Sequence, residues 1–144
     1  QRSRGRIHLN SADPFEQPVI DDGMLQHPTD TDAMRTAMEF VNDFVQHDSL
    51  APFYGGLMMP GPEEDWLRYA QSTYDSHHHG SGTCMMGPAS NPMAVVDNRL
   101  KMYGMDNLWV ADASIIPTVP HAATNVTVMM IAERVSDFIR EAGR

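Results

Sequence analysis

The 144-residue chain is 42% hydrophobic, which is usual for a globular protein and excludes an intrinsically disordered one. Its formal net charge of -9 argues against a surface for nucleic acid or anionic membrane, because both need clustered Lys and Arg. No apolar run approaches the roughly 20 residues of a membrane span, so no span is predicted. The single cysteine, Cys84, excludes a disulfide within the chain. The compartment therefore stays open, with a slight preference for the cytoplasm.

Two short extended segments and a long amphipathic helix are predicted in the amino-terminal third. Residues 6–10 alternate polar and apolar side chains, as a half-buried strand does, and residues 18–21 form a second extended segment. Thr29 or Asp30 is expected to cap the helix, because a short side-chain oxygen accepts from the free amides of the first turn. The helix carries an apolar stripe that is expected to pack in the core. The stripe consists of Ala33, Met34, Ala37, Met38, Val41, Phe44 and Val45.

The Pro- and Gly-rich residues 50–62 predict a loop with apolar side chains inside it. Such a loop is either covered by another part of the protein or lines a pocket. The pocket candidates are Phe53, Tyr54, Met58, Met59 and Trp66. A second helix is predicted to begin near Pro62 and to end before the histidines. Its buried face is expected to consist of Trp66, Leu67, Ala70 and Tyr74.

The carboxyl-terminal part predicts strands followed by one helix. Residues 94–96 and 99–103 are typical of short strands, and the apolar run 108–111 is typical of a strand covered on both faces. Asp112, Ala113 and Ser114 follow that strand, at the end where α/β sheets place groups that contact ligands. The last helix is predicted from Thr124 or Asn125 to about Glu141. Its apolar stripe consists of Val128, Ile131, Ala132, Val135 and Phe138.

Three interpretations fit the run 77–87, which sets three consecutive histidines beside a Gly-rich turn. A metal site would use His77, His78, His79 and Cys84, yet consecutive side chains of an extended chain diverge and rarely converge on one ion. A structural histidine would only satisfy backbone groups at the turn. A catalytic histidine would take the proton of an alcohol and so promote loss of hydride. No side chain accepts a hydride, so this third interpretation, which His121 favours, requires a flavin or nicotinamide.

Several blocks, each weak alone, together resemble the carboxyl-terminal part of the glucose–methanol–choline (GMC) family of flavin oxidoreductases. The run His79-Gly80-Ser81-Gly82-Thr83-Cys84-Met85-Met86-Gly87 is similar to the family's His-x-x-Gly-Thr-Cys-x-Met-Gly block. Further similar blocks are residues 3–9, 11–14, 18–21, 27–30, 96–104, 108–114, 117–118 and 130–133. The chain also opens in what reads as mid-domain sequence, so we expect a piece of a longer polypeptide, either cleaved or separately encoded.

The resemblance implies an α/β fold that is a fragment of a larger two-domain GMC protein. Residues 1–87 would be the carboxyl-terminal part of an α+β substrate-binding domain that carries the catalytic histidine loop. Residues 88–144 would return to a Rossmann-like FAD-binding domain as its last strand and helix. The chain has no G-x-G-x-x-G, so an amino-terminal FAD-binding chain or segment is the expected partner. The implied activity is oxidation of an alcohol or sugar CH–OH group with hydride transfer to flavin N5.

The resemblance also assigns roles to individual residues. His79 takes the position of the catalytic base, and Asp112 and Ala113 would lie along the ribityl and diphosphate of FAD. Asn125 and Val126 would face the pyrimidine end of the isoalloxazine.

One position departs from the family, because Ala123 stands where a second active-site His or Asn is usual. His121 or His78 could replace that residue, and Tyr54 is a further substrate-pocket candidate. Two alternatives remain open, a GMC-like lyase and a non-catalytic subunit that stabilises the flavin. Whether oxygen or another electron acceptor reoxidises the flavin is also left open.

Overall fold

A computed structural model describes residues 1–56, 59–61, 64–76 and 78–143. The chain divides into two compact units, Gln1–Asp75 and Ser76–Arg144, and each is described by itself. The predicted division after Gly87 concerns the two domains of a complete enzyme and stays a prediction. Among the described residues, no helix is long and apolar enough to cross a membrane.

The first unit contains a two-stranded antiparallel hairpin and two helices. Strand β1 (Arg6–His8) pairs with β2 (Val19–Asp21), with Ile7 opposite Ile20. Helix α1 (Pro28–Val45), a single 3-10 turn (Ala51–Phe53) and helix α2 (Trp66–Thr73) follow. Both segments were expected to be extended at these places, and β1 was expected to be half-buried, but all residues of both strands are exposed in this chain.

Helix α1 begins one residue before the predicted caps. Pro28 occupies its first position, where the missing amide costs nothing, and His27 is the cap, with Nδ1 accepting from the amide of Thr29. Asp30 does not cap the helix, because its carboxylate accepts from the amides of Arg2 and Ser3. The prediction of Thr29 or Asp30 as the cap was therefore wrong.

The apolar stripe of α1 was expected in the core, and in this chain most of it is exposed, with only Met38 and Val45 half-buried. No residue of the helix is buried, and the exposed fractions are 36% for Met34, 55% for Val41 and 58% for Phe44. Phe40 and Phe44 stack on each other with ring centroids 6.3 Å apart. The helical period was predicted correctly, but the described part of the first unit supplies no layer that covers this face.

Helix α2 begins at Trp66 because Asp65 caps it, accepting from the amides of Leu67 and Arg68. The predicted start at Pro62 lies outside the described residues, as do Leu57 and Met58 of the preceding loop. The predicted buried face is only half-buried here. Tyr74, just after the helix, donates a hydrogen bond to the Asp22 carboxylate, and this bond lowers the pKa of Asp22 and raises that of Tyr74.

The second unit joins single β-bridges to one long helix. Bridges pair Val96 with Met102 and Lys101 with Trp109, so the strands predicted over 94–96, 99–103 and 108–111 do not form as strands here. A strand forms only where its edges pair with neighbouring strands, and the described residues supply only one bridge to Trp109. Helix α3 (Asn125–Ala142) confirms the predicted last helix within one residue at its end.

The core lies in this second unit, where the meander of residues 95–116 packs on α3. Val96 is fully buried and Ile115 is 2% exposed. The buried cluster consists of Val96, Leu100, Ile115, Ile116, Ile131 and Val135. This core fixes the two segments that carry the histidine turn and the start of α3.

Candidate functional site

Hydrogen bonds from the main-chain amides tie both His78 and His79 to Ser76. The amide of His78 donates to the Ser76 hydroxyl, and the amide of His79 donates to the Ser76 carbonyl. His78 has a φ of 61°, a left-handed conformation that non-glycine residues seldom adopt. His78 is exposed and His79 is half-buried. His77 lies outside the described residues, so the three-histidine metal site concerns a part of the chain without described structure.

His79 is held by a residue at the start of α3. Its Nδ1 lies 3.3 Å from the hydroxyl oxygen of Thr124, which is 45 positions further along the chain. Thr124 is 5% exposed and precedes the first residue of the helix. Among the described residues, this contact is the only hydrogen bond of the His79 ring. The other ring nitrogen, Nε2, has no hydrogen-bond partner among the described residues.

The Gly-rich stretch after His79 runs beside the segment that begins at Asp112. Amides of Gly82, Cys84 and Met86 donate to the carbonyls of Ala113, Ser114 and Ile115, at 3.4, 2.9 and 2.8 Å. These main-chain bonds hold the two sequence blocks side by side, although they are about thirty positions apart. The site is therefore built on the buried Ile115 and on the helix that packs against it.

Gly82 allows the stretch to turn this closely. Its φ is 90°, and an added Cβ would lie 3.3 Å from the carbonyl oxygen of Ile116. Any other side chain would be strained by that backbone conformation. Cys84 is a half-buried free thiol within the same stretch.

The predicted cofactor residues lie on two features of the second unit, a 3-10 turn and the start of α3. The exposed Asp112 caps a 3-10 turn (Ala113–Ile115), its carboxylate accepting from the amide of Ser114. Asn125 opens α3, and Val126 is 74% exposed. Thr124 makes no side-chain cap, so no side chain at the cap position accepts from the first amides of α3.

The remaining predicted residues, His121, Ala123 and Tyr54, lie in two different loops. His121 and Ala123 are both exposed, in the loop that leads to Thr124. Tyr54 is half-buried in the first unit, at the end of its 3-10 turn, and its place in a substrate pocket stays a prediction. Among the described residues, no group of three or more His, Cys, Asp or Glu could hold a metal ion.

Two polar side chains of this site were not identified from the sequence. Thr124 was predicted only as a helix start, since a threonine before a helix ordinarily bonds to the helix amides. Nothing local indicates that its hydroxyl turns to a histidine distant in the sequence. The second is Ser81, whose hydroxyl oxygen is buried and has no hydrogen-bond partner among the described residues. Its position between His79 and Gly82 was the available signal.

Comparison with known proteins identifies the family of this chain. A model of the carboxyl-terminal part of GMC oxidoreductases matches residues 1–132. The oxygen-dependent choline dehydrogenase of Staphylococcus xylosus is 37% identical over 143 residues, which cover 96% of this chain and 26% of that protein. The chain thus spans about a quarter of that relative's length.

Solved structures give the same result. The pyridoxine 4-oxidase from Mesorbium loti matches with a TM-score of 0.81 and 31% identity, over 98% of this chain and 27% of that one. A formate oxidase from Aspergillus oryzae, solved to study the effect of a mutation on FAD modification, matches with a TM-score of 0.78 and 29% identity, over 96% of this chain and 25% of that one. The chain belongs to the GMC oxidoreductase family of FAD-dependent flavoproteins.

Proposed function

We propose that this chain is the carboxyl-terminal part of an FAD-dependent enzyme that oxidises the CH–OH group of an alcohol or sugar, with His79 as the base. The observation that carries the proposal is the fixed imidazole of His79, held at Nδ1 by Thr124. The ring lies beside a stretch whose amides bond along Ala113–Ile115. A base needs such a fixed geometry before its proton affinity matters.

His79 would take the hydroxyl proton of the substrate on Nε2. The electron pair of the O–H bond then forms the carbonyl, and the neighbouring C–H bond breaks with its pair as a hydride. FAD, when bound, supplies the hydride acceptor that no side chain can provide. His79 therefore ends the step protonated, and the proton must leave it before the next turnover.

The residues of this chain fit that cofactor. The first amides of α3 carry no cap from Thr124, and a helix start with open amides favours an anionic group. Val126 is 74% exposed, so a flat ring system can approach the helix start. The unpartnered Ser81 hydroxyl supports a further polar group at this place, supplied from outside the described residues. Asp112, Ala113, Asn125 and Val126 are the residues that we assign to FAD.

The substrate would lie between His79 and the cofactor, with a second side chain to orient its oxygen. Ala123 cannot form that hydrogen bond, so we assign the role to His121, which is exposed two residues earlier. His78 and Tyr54 are the further substrate-pocket residues of the proposal. The remaining part of the FAD site would come from an amino-terminal segment, because this chain contains no G-x-G-x-x-G.

The visible spectrum of the complete flavoprotein, before and after anaerobic addition of alcohols and sugars, tests the proposal. One compound of the panel should bleach the flavin of the wild-type enzyme. His79→Ala should slow that bleaching about 10²–10⁴-fold, which is the range for loss of a general base. His47→Ala is the matched control, because His47 is an exposed histidine outside the site. A His79→Ala enzyme that reduces its flavin at the wild-type rate would falsify the role of His79.

A further inference from the structure

Thr124 occupies the cap position of α3 without acting as a cap. Its φ of -75° and ψ of -14° are helical, whereas a capping threonine usually has an extended backbone, and its side chain bonds to no helix amide. The residue is nevertheless 5% exposed, so its hydroxyl needs a partner inside the protein. That partner is Nδ1 of His79, at 3.3 Å.

The direction of this hydrogen bond decides which nitrogen of His79 can act. A neutral imidazole has one N–H and one lone pair, and a hydroxyl can either donate or accept. If Thr124 accepts, the proton of the ring is on Nδ1 and Nε2 presents a lone pair. If Thr124 donates, the proton is on Nε2, and His79 cannot take a proton from a substrate there.

We propose that Thr124 is a positioning residue, whose hydroxyl accepts from Nδ1–H and keeps neutral His79 in the tautomer with an open Nε2. The position of the proton on His79 is inferred from the observed contact alone. Its effect on the reaction rests on the proposed function. After proton transfer the same N–H remains on Nδ1, so the hydrogen bond persists through the step and strengthens with the charge of the ring. The contact is long for a hydrogen bond, as is common before a substrate binds.

The hydrogen bond with Thr124 also connects His79 to helix α3. Thr124 is continuous with α3, whose Ile131 and Val135 are buried in the core. The hydrogen bond thus holds the imidazole relative to the same helix start that we assign to FAD binding. A small rotation of the ring would move Nε2 relative to the substrate, and misplacement by about 1 Å can cost about 100-fold in rate.

The test uses the complete flavoprotein with ¹⁵N-labelled histidine. The ¹⁵N shifts of the ring nitrogens of His79, assigned with a His79→Gln variant, report the tautomer without any substrate. Wild type and Thr124→Ser should carry the proton on Nδ1, while Thr124→Val should show a mixture or the other tautomer. A wild-type His79 with its proton on Nε2 would overturn the proposal, whether or not the Val variant folds.

Anaerobic flavin reduction supplies the second readout. Thr124→Val should lower the limiting rate about 10-fold, with a largely unchanged substrate dissociation constant, because one hydrogen bond to the base is lost. Thr124→Ser should restore most of the rate. Ser136→Ala is the matched control, since it removes a hydroxyl on α3 whose one hydrogen bond among the described residues is to the Ala132 carbonyl.

The outcomes separate this inference from the proposed function. A wild-type enzyme whose flavin no alcohol or sugar bleaches would contradict the proposed function, and the tautomer of His79 would still decide the role of Thr124. A Thr124→Val enzyme with both wild-type tautomer and wild-type rate would overturn the positioning role alone. Equal losses in the Val and Ser variants, with the tautomer unchanged, would also overturn it.

Discussion

The carboxylate of Asp30 joins the first residues of the chain to helix α1, by accepting from the amides of Arg2 and Ser3. The hydrogen bond from the Ser3 side chain is the main cause that lowers the pKa of Asp30 to about 2, with the two amides adding to it. These bonds require the ionised carboxylate. Their stabilisation is therefore present above the ordinary aspartate pKa of about 3.9 and is lost as the pH falls toward 2.

Asp30→Asn should lower the free energy of unfolding at pH 7 by about 1 kcal/mol, a discounted figure for a half-buried group. The loss should shrink between about pH 4 and pH 2, where the wild-type carboxylate is also neutralised. Urea unfolding across this pH range measures the difference. Asp32→Asn, an exposed change on the same helix, is the control. A pH-independent loss would contradict the electrostatic explanation.

Alanine substitutions at Gly23 and Gly104 distinguish the effect of steric crowding on stability from that of backbone strain. Both have positive φ, 60° and 73°, so alanine should cost about 1–2 kcal/mol at either position. An added Cβ at Gly23 would lie only 2.2 Å from the carbonyl oxygen of Arg4, whereas nothing lies within 4 Å at Gly104. Gly23→Ala should therefore lose about 1–3 kcal/mol more than Gly104→Ala. Equal shifts of the two unfolding midpoints would show that the hairpin relaxes freely.

Ile115 is expected to be the most sensitive aliphatic position near the site. It is 2% exposed and its carbonyl accepts from the amide of Met86. Ile115→Val should cost about 0.5–1.5 kcal/mol and Ile115→Ala about 2–5 kcal/mol, because the cavity grows with each removed carbon. Thermal or urea unfolding measures both. Ile139→Ala, at a position 46% exposed on α3, should cost less than Ile115→Ala. The reverse order would contradict the assigned core.

The role assigned to His121 leads to a paired test with Ala123. His121→Ala should slow anaerobic flavin reduction about 10-fold, because one substrate-orienting hydrogen bond is lost. Ala123→Asn in the His121→Ala background should recover part of the rate, since it introduces one of the two side chains that are usual at this position of the family. Stopped-flow absorbance gives both numbers, with His47→Ala as the control. An unchanged His121→Ala enzyme would move the orienting role to another side chain.

The sequence predicted the helices and the places of β1 and β2 well, and the strands of the second unit poorly, for a physical reason. A helix satisfies its own backbone, so the 3.6-residue period of α3 is sufficient to place it within one residue. The run 108–111 has strand composition, but a strand exists only with its neighbours, and here Trp109 has one bridge to Lys101. The exposed apolar stripe of α1 has the same explanation, since a helix face is buried only where another element packs against it.

At the site, the blocks that carry the family resemblance also place the histidine and the Asp112 segment. The main-chain bonds from Gly82, Cys84 and Met86 hold the two segments side by side, and the roles assigned to them stay predictions. The partner of His79 was not predictable, because a threonine hydroxyl reaches it from 45 positions away. Local spacing predicts which residues share an element, and it carries no information on such a long-range contact.

The bonds between the Gly-rich stretch and Ala113–Ile115 all use main-chain amides and carbonyls. Except at Gly82, where any other side chain would strain the backbone, side chains within the stretch can therefore change without removing any of these bonds. Thr83 is exposed and Met85 is half-buried, so both positions are open to substitution beside a fixed histidine. A mutant library confined to these two positions should keep this unit folded while it varies the surroundings of His79.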